Sequence, residues 1–533
     1  MMNPLPALRR PALLLLCAQM ALSGCGATEL AASPARWPTP APMPEPIDQR
    51  GPQWPSSFKA QTTPNFEAPS ATHCARGIQT VEVPGDTFPS RPRNKRERLD
   101  RELRSEPGRE DKADTSRRAA SPAESLAAAG EATSAEALPA TPPAAPAARA
   151  ADRSSPTLGD AARFAPPAPG GSTPQLPQPL QRPQITQVVT AGMVDDNADF
   201  GAYMRFTAQT QVAFRARDVS ERHLLQVRDR SGSAVPDAEV AVHAANGAAM
   251  WARTDAAGRA WLHPNAFDPG SSQVYEVAVR KDGVYSTAYL RRGQKSAVDV
   301  VLAPTATIGR ARLDLVFLID ATGSMGDEIG KLRRTLKTIA DEVARLPSRP
   351  DTCFGLMAYR DRGDAFLTRR HDFTNDLNAF QSVLNALQAD GGGDYPEALS
   401  EALHETVHKM SWRGSGATRM VVLLADAPPH LDYGGPRYDE DMMAALGKGI
   451  KVFSVGASGL DKQGEVIQRQ IAQYTGGSFV FLTYKEAANP ASGPGRETVH
   501  DVGNYSVQTL DRLIVRLVTE ELAKLPRPAD RPA

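Results

Sequence analysis

Two stretches of this 533-residue chain carry side chains whose types and spacing suggest chemistry. One is Asp320-Ala-Thr-Gly-Ser324, echoed downstream by Asp426-Ala-Pro-Pro-His430. Its carboxylates and hydroxyls are the hard oxygen donors that small divalent cations take up, about six at a time. The other is His404-Glu405-Thr-Val-His408, a literal H-E-x-x-H. On a helix, residues four apart face one way, so the two imidazoles could hold Zn²⁺ with the glutamate as general base, the arrangement of a metallopeptidase. Ser324 lacks a Gly-x-Ser-x-Gly setting and an assignable base, which argues against a serine hydrolase. His430 and His500 read as loop or cap residues.

The elements around these side chains form a consistent pattern. Leu313 to Asp320 and Met420 to Asp426 are apolar runs of strand length, each ending in aspartate. Phe354–Tyr359, Val452–Val455 and Ser478–Leu482 supply further strands. Between the first two strands, Ile329, Leu332, Leu336, Ile339, Val343 and Leu346 recur at steps of three or four, one face of a helix. Val507 to Leu522 repeats that pattern at the end. Strands alternating with helices predict an α/β fold with a doubly wound parallel sheet. Carboxylates at the carboxyl ends of two strands then fall in the crevice where such sheets bind ligands.

The same register places H-E-x-x-H on a helix between Gly391-Gly-Gly-Asp-Tyr-Pro-Glu397 and the strand ending at Asp426. Ala398, Leu399, Ala402, Leu403, Val407 and Met410 form its buried stripe, which leaves both histidines near the polar face. Ser411 and Gly414 stand where the extended zinc-peptidase pattern has Gly and His, so a peptidase is the lesser reading.

Asp-x-Thr-x-Ser directly after an apolar strand resembles the metal-ion-dependent adhesion site of von Willebrand factor A domains. The resemblance covers about residues 308–525, including the Gly-rich loop and Ala425-Asp-Ala-Pro-Pro-His430. It implies that Thr322 and Ser324 ligate Mg²⁺ or Mn²⁺ directly, and that Asp320 and Asp426 act directly or through water. A protein partner's carboxylate would fill the open position. Hydroxyl ligands keep the charge of such a site low enough to leave the ion electrophilic. Where many family members place Thr, this chain has Asp394, which could be the remaining ligand, direct or water-mediated. An added carboxylate there should tighten metal binding and weaken the pull on an acidic ligand.

The rest of the chain is organised differently. Forty-five prolines are unevenly spread, 30 of them before residue 186, which excludes a single compact globule. Formal net charge is zero, so a generally basic nucleic-acid binder is excluded as well. Residues 1–25 combine Arg9-Arg10, a short apolar run and Leu22-Ser-Gly-Cys25, a signal peptide that resembles a bacterial lipobox. The resemblance implies lipidation of Cys25, and Gly26 after it favours the outer membrane. Residues 26–185 read as a disordered Pro/Ala-rich tether with 19 basic and 18 acidic residues. Cys74 within it could pair with Cys353, although nothing in the sequence warrants that pairing.

Residues 186–305 show short alternating strands around Asp/Ser/Gly turns, a β-sandwich that resembles immunoglobulin-like or carboxypeptidase-regulatory-like modules. Its lead-in, Thr190 to Phe200, is acidic but lacks a closing glutamate, so it reads as a structured lead-in and no calcium loop. Residues 306–525 are the A domain and 526–533 a disordered tail. The expectation is a lipid-anchored, non-enzymatic envelope protein whose metal-dependent head binds a protein. A zinc metallopeptidase and a metal-independent scaffold are the alternatives.

Overall fold

In a computed structural model, the protein is described over residues 73–85, 188–270, 272–303 and 309–526. Cys25, the leader, most of the expected tether and the tail after residue 526 lie outside the described residues.

Seventeen strands are described. The central sheet has the order β1-β12-β11-β10-β13-β14-β15-β2-β17, with β16 on β15. Its members are β1 Thr80–Val83, β2 Thr190–Val194, β10 Arg312–Asp320, β11 Asp351–Tyr359, β12 Thr368–Thr374, β13 Thr418–Ala425, β14 Ile450–Gly456, β15 Phe479–Glu486, β16 Asn489–Pro494 and β17 Gln508–Thr509. Strands β11, β10, β13, β14 and β15 are parallel. Central β10 is buried from Leu313 to Asp320, because helices cover both faces and favour an uninterrupted apolar run.

The helices are α1 Phe200–Gln209, α2 Pro264–Phe267, α3 Gly326–Ala344, α4 Leu377–Ala386, α5 Leu399–Lys409, α6 Tyr438–Lys448, α7 Lys462–Tyr474 and α8 Leu510–Ala523. Ile329, Leu332, Leu336, Ile339 and Val343 of α3 pack with Leu313, Leu315, Phe317 and Ile319 of β10, together with α4 and α8. The other face, through Val316 and Leu318, takes α5, α6 and α7. The expected α5 stripe is buried from Ala398 to Met410 as the spacing predicts. The doubly wound α/β sheet is therefore present.

Seven strands make the sandwich. Sheet β6-β3-β9 comprises Arg259–Leu262, His223–Arg228 and Val298–Val301. Sheet β5-β4-β7-β8 comprises Ala249–Arg253, Glu239–Ala244, Val274–Lys281 and Val284–Arg291. Its apolar core runs without a break into the α5–α7 layer. Charges cross the same boundary: buried Arg419 reaches Asp237, which Arg253 also holds from within the sandwich, and Lys451 stands 3.9 Å from Asp255.

Two expected boundaries are corrected. Residues 73–85 are not tether: β1 pairs antiparallel with β12, and Cys74 is disulfide-bonded to Cys353 at the start of β11. Residues 190–209 are not sandwich: β2 pairs antiparallel with β15, and Gly192 lies so close to Phe481 that a Cβ would stand 2.6 Å from the ring. The physical reason is the same in both cases. An open sheet leaves unpaired backbone at its edges, and short strands from distant sequence cover it. Four- and five-residue strands beside prolines or acidic turns carry too little periodicity to announce such a partner.

Candidate functional site

Strands β10 and β13 run side by side, Ile319 opposite Leu424, so Asp320 and Asp426 emerge together at the carboxyl edge. The chain then turns tightly. Thr322 donates from its backbone N–H and its hydroxyl to Asp320 Oδ1, at 2.9 and 2.7 Å. The Thr322 and Ser324 hydroxyls are 3.0 Å apart, and Ser324 is close enough to the Asp426 carboxylate to favour its ionised form. Four of the five expected residues thus form one connected chain of oxygens. Asp320, Thr322 and Asp426 are buried, while Ser324 faces solvent.

The Gly-rich loop closes over this chain. Gly323 donates to the Gly391 carbonyl and Asp390 to the Ala321 carbonyl, both at 3.1 Å. Gly391 and Gly392 adopt φ of 79° and 73°, conformations that favour glycine. A Cβ at Gly392 would stand 2.8 Å from Glu397 Oε1 and 3.1 Å from Thr322 Cβ. Backbone at Glu397 pairs with 428–430, through Glu397 N–H to the Pro428 carbonyl and His430 N–H to the Glu397 carbonyl. The Gly-rich loop and the Asp426 loop are therefore one unit.

The electrostatics are one-sided. Burial pushes the Asp320 carboxyl up to about 6, with the charge of Asp361 adding to it against the Thr322 hydrogen bonds. Burial, then the charges of Asp320 and Glu328, push Asp426 well above the ordinary carboxylate range. Tyr359, buried opposite Asp320 on β11, is raised by burial and by Asp320, Asp426 and Glu397 in turn. Among the described residues no lysine or arginine pairs with Asp320 or Asp426. Asp320 Oδ2 and Asp426 Oδ1 are buried without a well-formed hydrogen bond. Crowded carboxylates with bare oxygens beside two hydroxyls are the donor set that a hard divalent cation fits.

Asp394 is placed differently from the other four. Its Oδ2 stands 3.8 Å from His430 Nε2, which is also 3.5 Å from Asp361 Oδ1. His430, a loop residue as expected, is buried and stacks on Tyr433 at 3.6 Å. Glu397, Asp361 and Tyr359 are site residues that sequence reasoning left without a role. The only cue was Pro396-Glu397, a carboxylate just ahead of a helix, where it is unremarkable.

The H-E-x-x-H motif lies elsewhere, on α5. His404 Nδ1 and His408 Nε2 both meet Asp441 Oδ1 of α6, at 3.0 and 2.9 Å. Glu405 turns to Arg370 at 2.9 Å, away from the role of base that the peptidase reading gives it.

Residues 314–488 match the von Willebrand factor type A domain. Alpha-protein kinase vwkA of Dictyostelium discoideum is 30% identical over 120 residues, 22% of this chain and 19% of its own length. The human von Willebrand factor A domain-containing protein 7 is 27% identical over 160 residues, 26% of this chain and 17% of its own. A putative ariadne-like RING finger protein, R811 of Acanthamoeba polyphaga mimivirus, is 28% identical over 123 residues, 23% of this chain and 12% of its own. The matched stretch thus spans less than a fifth of each of these relatives. Among solved structures, the pilus adhesin SpaC of Lactobacillus rhamnosus GG in its open conformation overlaps weakly. It is 17% identical, with a TM-score of 0.24, over 39% of this chain and 31% of that one. Residues 314–488, with Asp320 and Asp426 at the carboxyl edge of their strands, form a von Willebrand factor type A domain.

Proposed function

We propose that the A domain holds Mg²⁺ or Mn²⁺ through Asp320, Thr322, Ser324 and Asp426, and binds a protein partner through that ion. Asp394, a quarter exposed beside His430, serves at the rim through water. The observation that carries this reading is the pair of buried carboxylates with bare oxygens, joined by a threonine and a serine hydroxyl. The ion would supply a Lewis-acidic position for a carboxylate of the partner. The protein residues fix the donors, exclude cationic competitors and leave Ser324 at the solvent side. The role is binding and not catalysis, and the engagement of Glu405 by Arg370 supports that choice over a peptidase.

The chain acts in the cell envelope, anchored at Cys25 to the outer membrane. The support is indirect but physical: a Cys74–Cys353 disulfide across 279 residues persists in an oxidising compartment and not in a reducing cytosol. No helix among the described residues is long and apolar enough to cross a membrane.

The test is thermal unfolding of the full-length chain with and without millimolar Mg²⁺ or Mn²⁺. Stabilisation that disappears in Asp320→Ala, together with chelator-sensitive capture of a partner, supports the reading. Indifference to both ions would leave a metal-independent scaffold. Labelling with a radioactive fatty acid, lost in Cys25→Ala, tests the anchor.

A further inference from the structure

The second motif carries an inference of its own. His404 and His408 lie one helical turn apart on α5, with ring centroids 4.5 Å apart. Their Nδ1 and Nε2 atoms converge on a single oxygen, Asp441 Oδ1, at 3.0 and 2.9 Å. One donor atom from each of the three side chains lies within 4.8 Å of the others. Asp441 is 6% exposed and its Oδ2 is buried without a hydrogen bond, so a second acceptor beside the rings is left bare. The rings remain about one-third exposed, at 35% and 34%, which opens a fourth side to solvent.

We infer that His404, His408 and Asp441 form a zinc site that braces α5 to α6 and takes no part in hydrolysis. Two imidazole nitrogens and one carboxylate oxygen are borderline donors, suited to Zn²⁺ and poorly to Mg²⁺ or Ca²⁺. Tetrahedral bonds of about 2.0–2.2 Å place neighbouring donors roughly 3.3–3.5 Å apart, a few tenths beyond the separations present, so small ring movements suffice. The ion takes the place of the imidazole protons that now point at Asp441, each of which passes to solvent from a charged ring or to the other nitrogen of a neutral one, and water closes the fourth corner. Neighbouring carboxylates do not compete, since Glu401 is paired with Arg362 and Glu405 with Arg370.

The placement gives the brace a consequence. Helix α5 begins two residues after Glu397, where the Gly-rich loop ends, and α6 packs on sandwich strand β5. Zinc would tie the helix behind the carboxylate site to the helix seated on the sandwich. The site uses none of the residues at Asp320, so its failure and that of the adhesion-site reading are separable.

The experiment is titration of the chelator-stripped full-length chain with Zn²⁺ against a chromophoric chelator, with Co²⁺ spectra as a check on geometry. One zinc should bind, with tetrahedral cobalt bands, and binding should survive Asp320→Ala and Glu405→Gln. His404→Ala and His408→Ala should each weaken it by more than the ~10–100-fold that loss of an outer partner costs. If either alanine variant fails to fold, His404→Asn and His408→Asn keep a polar side chain and serve in its place. The proposal is overturned if the wild-type chain binds no zinc, if the histidine variants bind as tightly as wild type, or if Asp320→Ala alone abolishes binding. It is equally overturned if the zinc-loaded chain cleaves peptides and Glu405→Gln abolishes that cleavage.

Discussion

Strand β10 buries an aspartate at each end, and the two are treated in opposite ways. Asp314, near its amino end, is inaccessible and faces an equally inaccessible Arg413. Arg413 donates from its backbone N–H and Nε to the two Asp314 oxygens, at 2.9 and 2.7 Å, and its remaining nitrogens reach the Leu313 carbonyl and Asp351. Asp320, six residues on, is just as buried but meets hydroxyls and other carboxylates. Burial alone therefore does not mark a functional acid. What distinguishes the two is whether the protein itself supplies the positive charge. At the amino edge it does, through Arg413; at the carboxyl edge it does not, and on the function proposed above a cation from solution takes that place.

The largest expected effect breaks the matched end. Arg413→Ala would leave Asp314 buried and uncompensated, a situation that typically costs about 3–5 kcal/mol. Urea unfolding should show that loss while any response to Mg²⁺ persists in the fraction still folded. A loss below 1 kcal/mol would mean that water enters the Arg413 cavity and that the two ends are less different than they look.

At the unmatched end the sign reverses. Asp320→Asn removes a carboxylate that burial holds at about 6, and each unit of such a shift is worth about 1.4 kcal/mol. The metal-free protein should therefore gain on the order of 1–3 kcal/mol while losing its response to Mg²⁺ or Mn²⁺. In the wild type that response reaches about 2.7 kcal/mol at a hundredfold excess over Kd. A metal-free Asn variant less stable than wild type would show that Asp320 holds the loop together by its hydrogen bonds from Thr322 and is not held there for a cation.

The difference between the ends also explains what could be read beforehand. That Asp320, Thr322, Ser324 and Asp426 come together was legible because they lie at or just beyond the ends of two apolar strands, which the fold makes neighbours. Arg413 was not, since its partner is 99 residues away and an arginine after a helix looks solvated. Glu397 was hidden by its ordinary place ahead of α5, although Gly392, at positive φ, lies against both Glu397 and Thr322. Cys74 and β1 lay inside a proline-rich stretch whose composition indicates an extended chain, and the edge of β12 and the Cys353 thiol that hold residues 73–85 are both far off in sequence. Asp394 was legible as a carboxylate near the site, but its place beside His430 depends on the turn of a glycine loop.

The smallest effect is a divergence in pH dependence, with Asp237 joining the matched class. Burial opposes its ionisation, but Arg419, Arg253 and Lys281 outweigh burial and hold it well below the ordinary carboxylate range. A depressed folded pKa contributes stability that is present above the unfolded value, near 3.9, and is lost as pH falls through the folded value. Asp320 behaves inversely. With its folded pKa raised to about 6, the folded state takes up a proton that the unfolded state does not, so metal-free stability rises as pH falls from 7 toward 4. Denaturant midpoints measured in chelator should therefore climb by on the order of 1–2 kcal/mol between pH 7 and 5, then fall below about pH 4. Asp320→Asn should flatten the climb without touching the fall, and Asp237→Asn should soften the fall without touching the climb. Saturating Mn²⁺ keeps Asp320 ionised and should remove the climb from the wild type alone, because at the Arg-matched end there is no proton for the metal to displace.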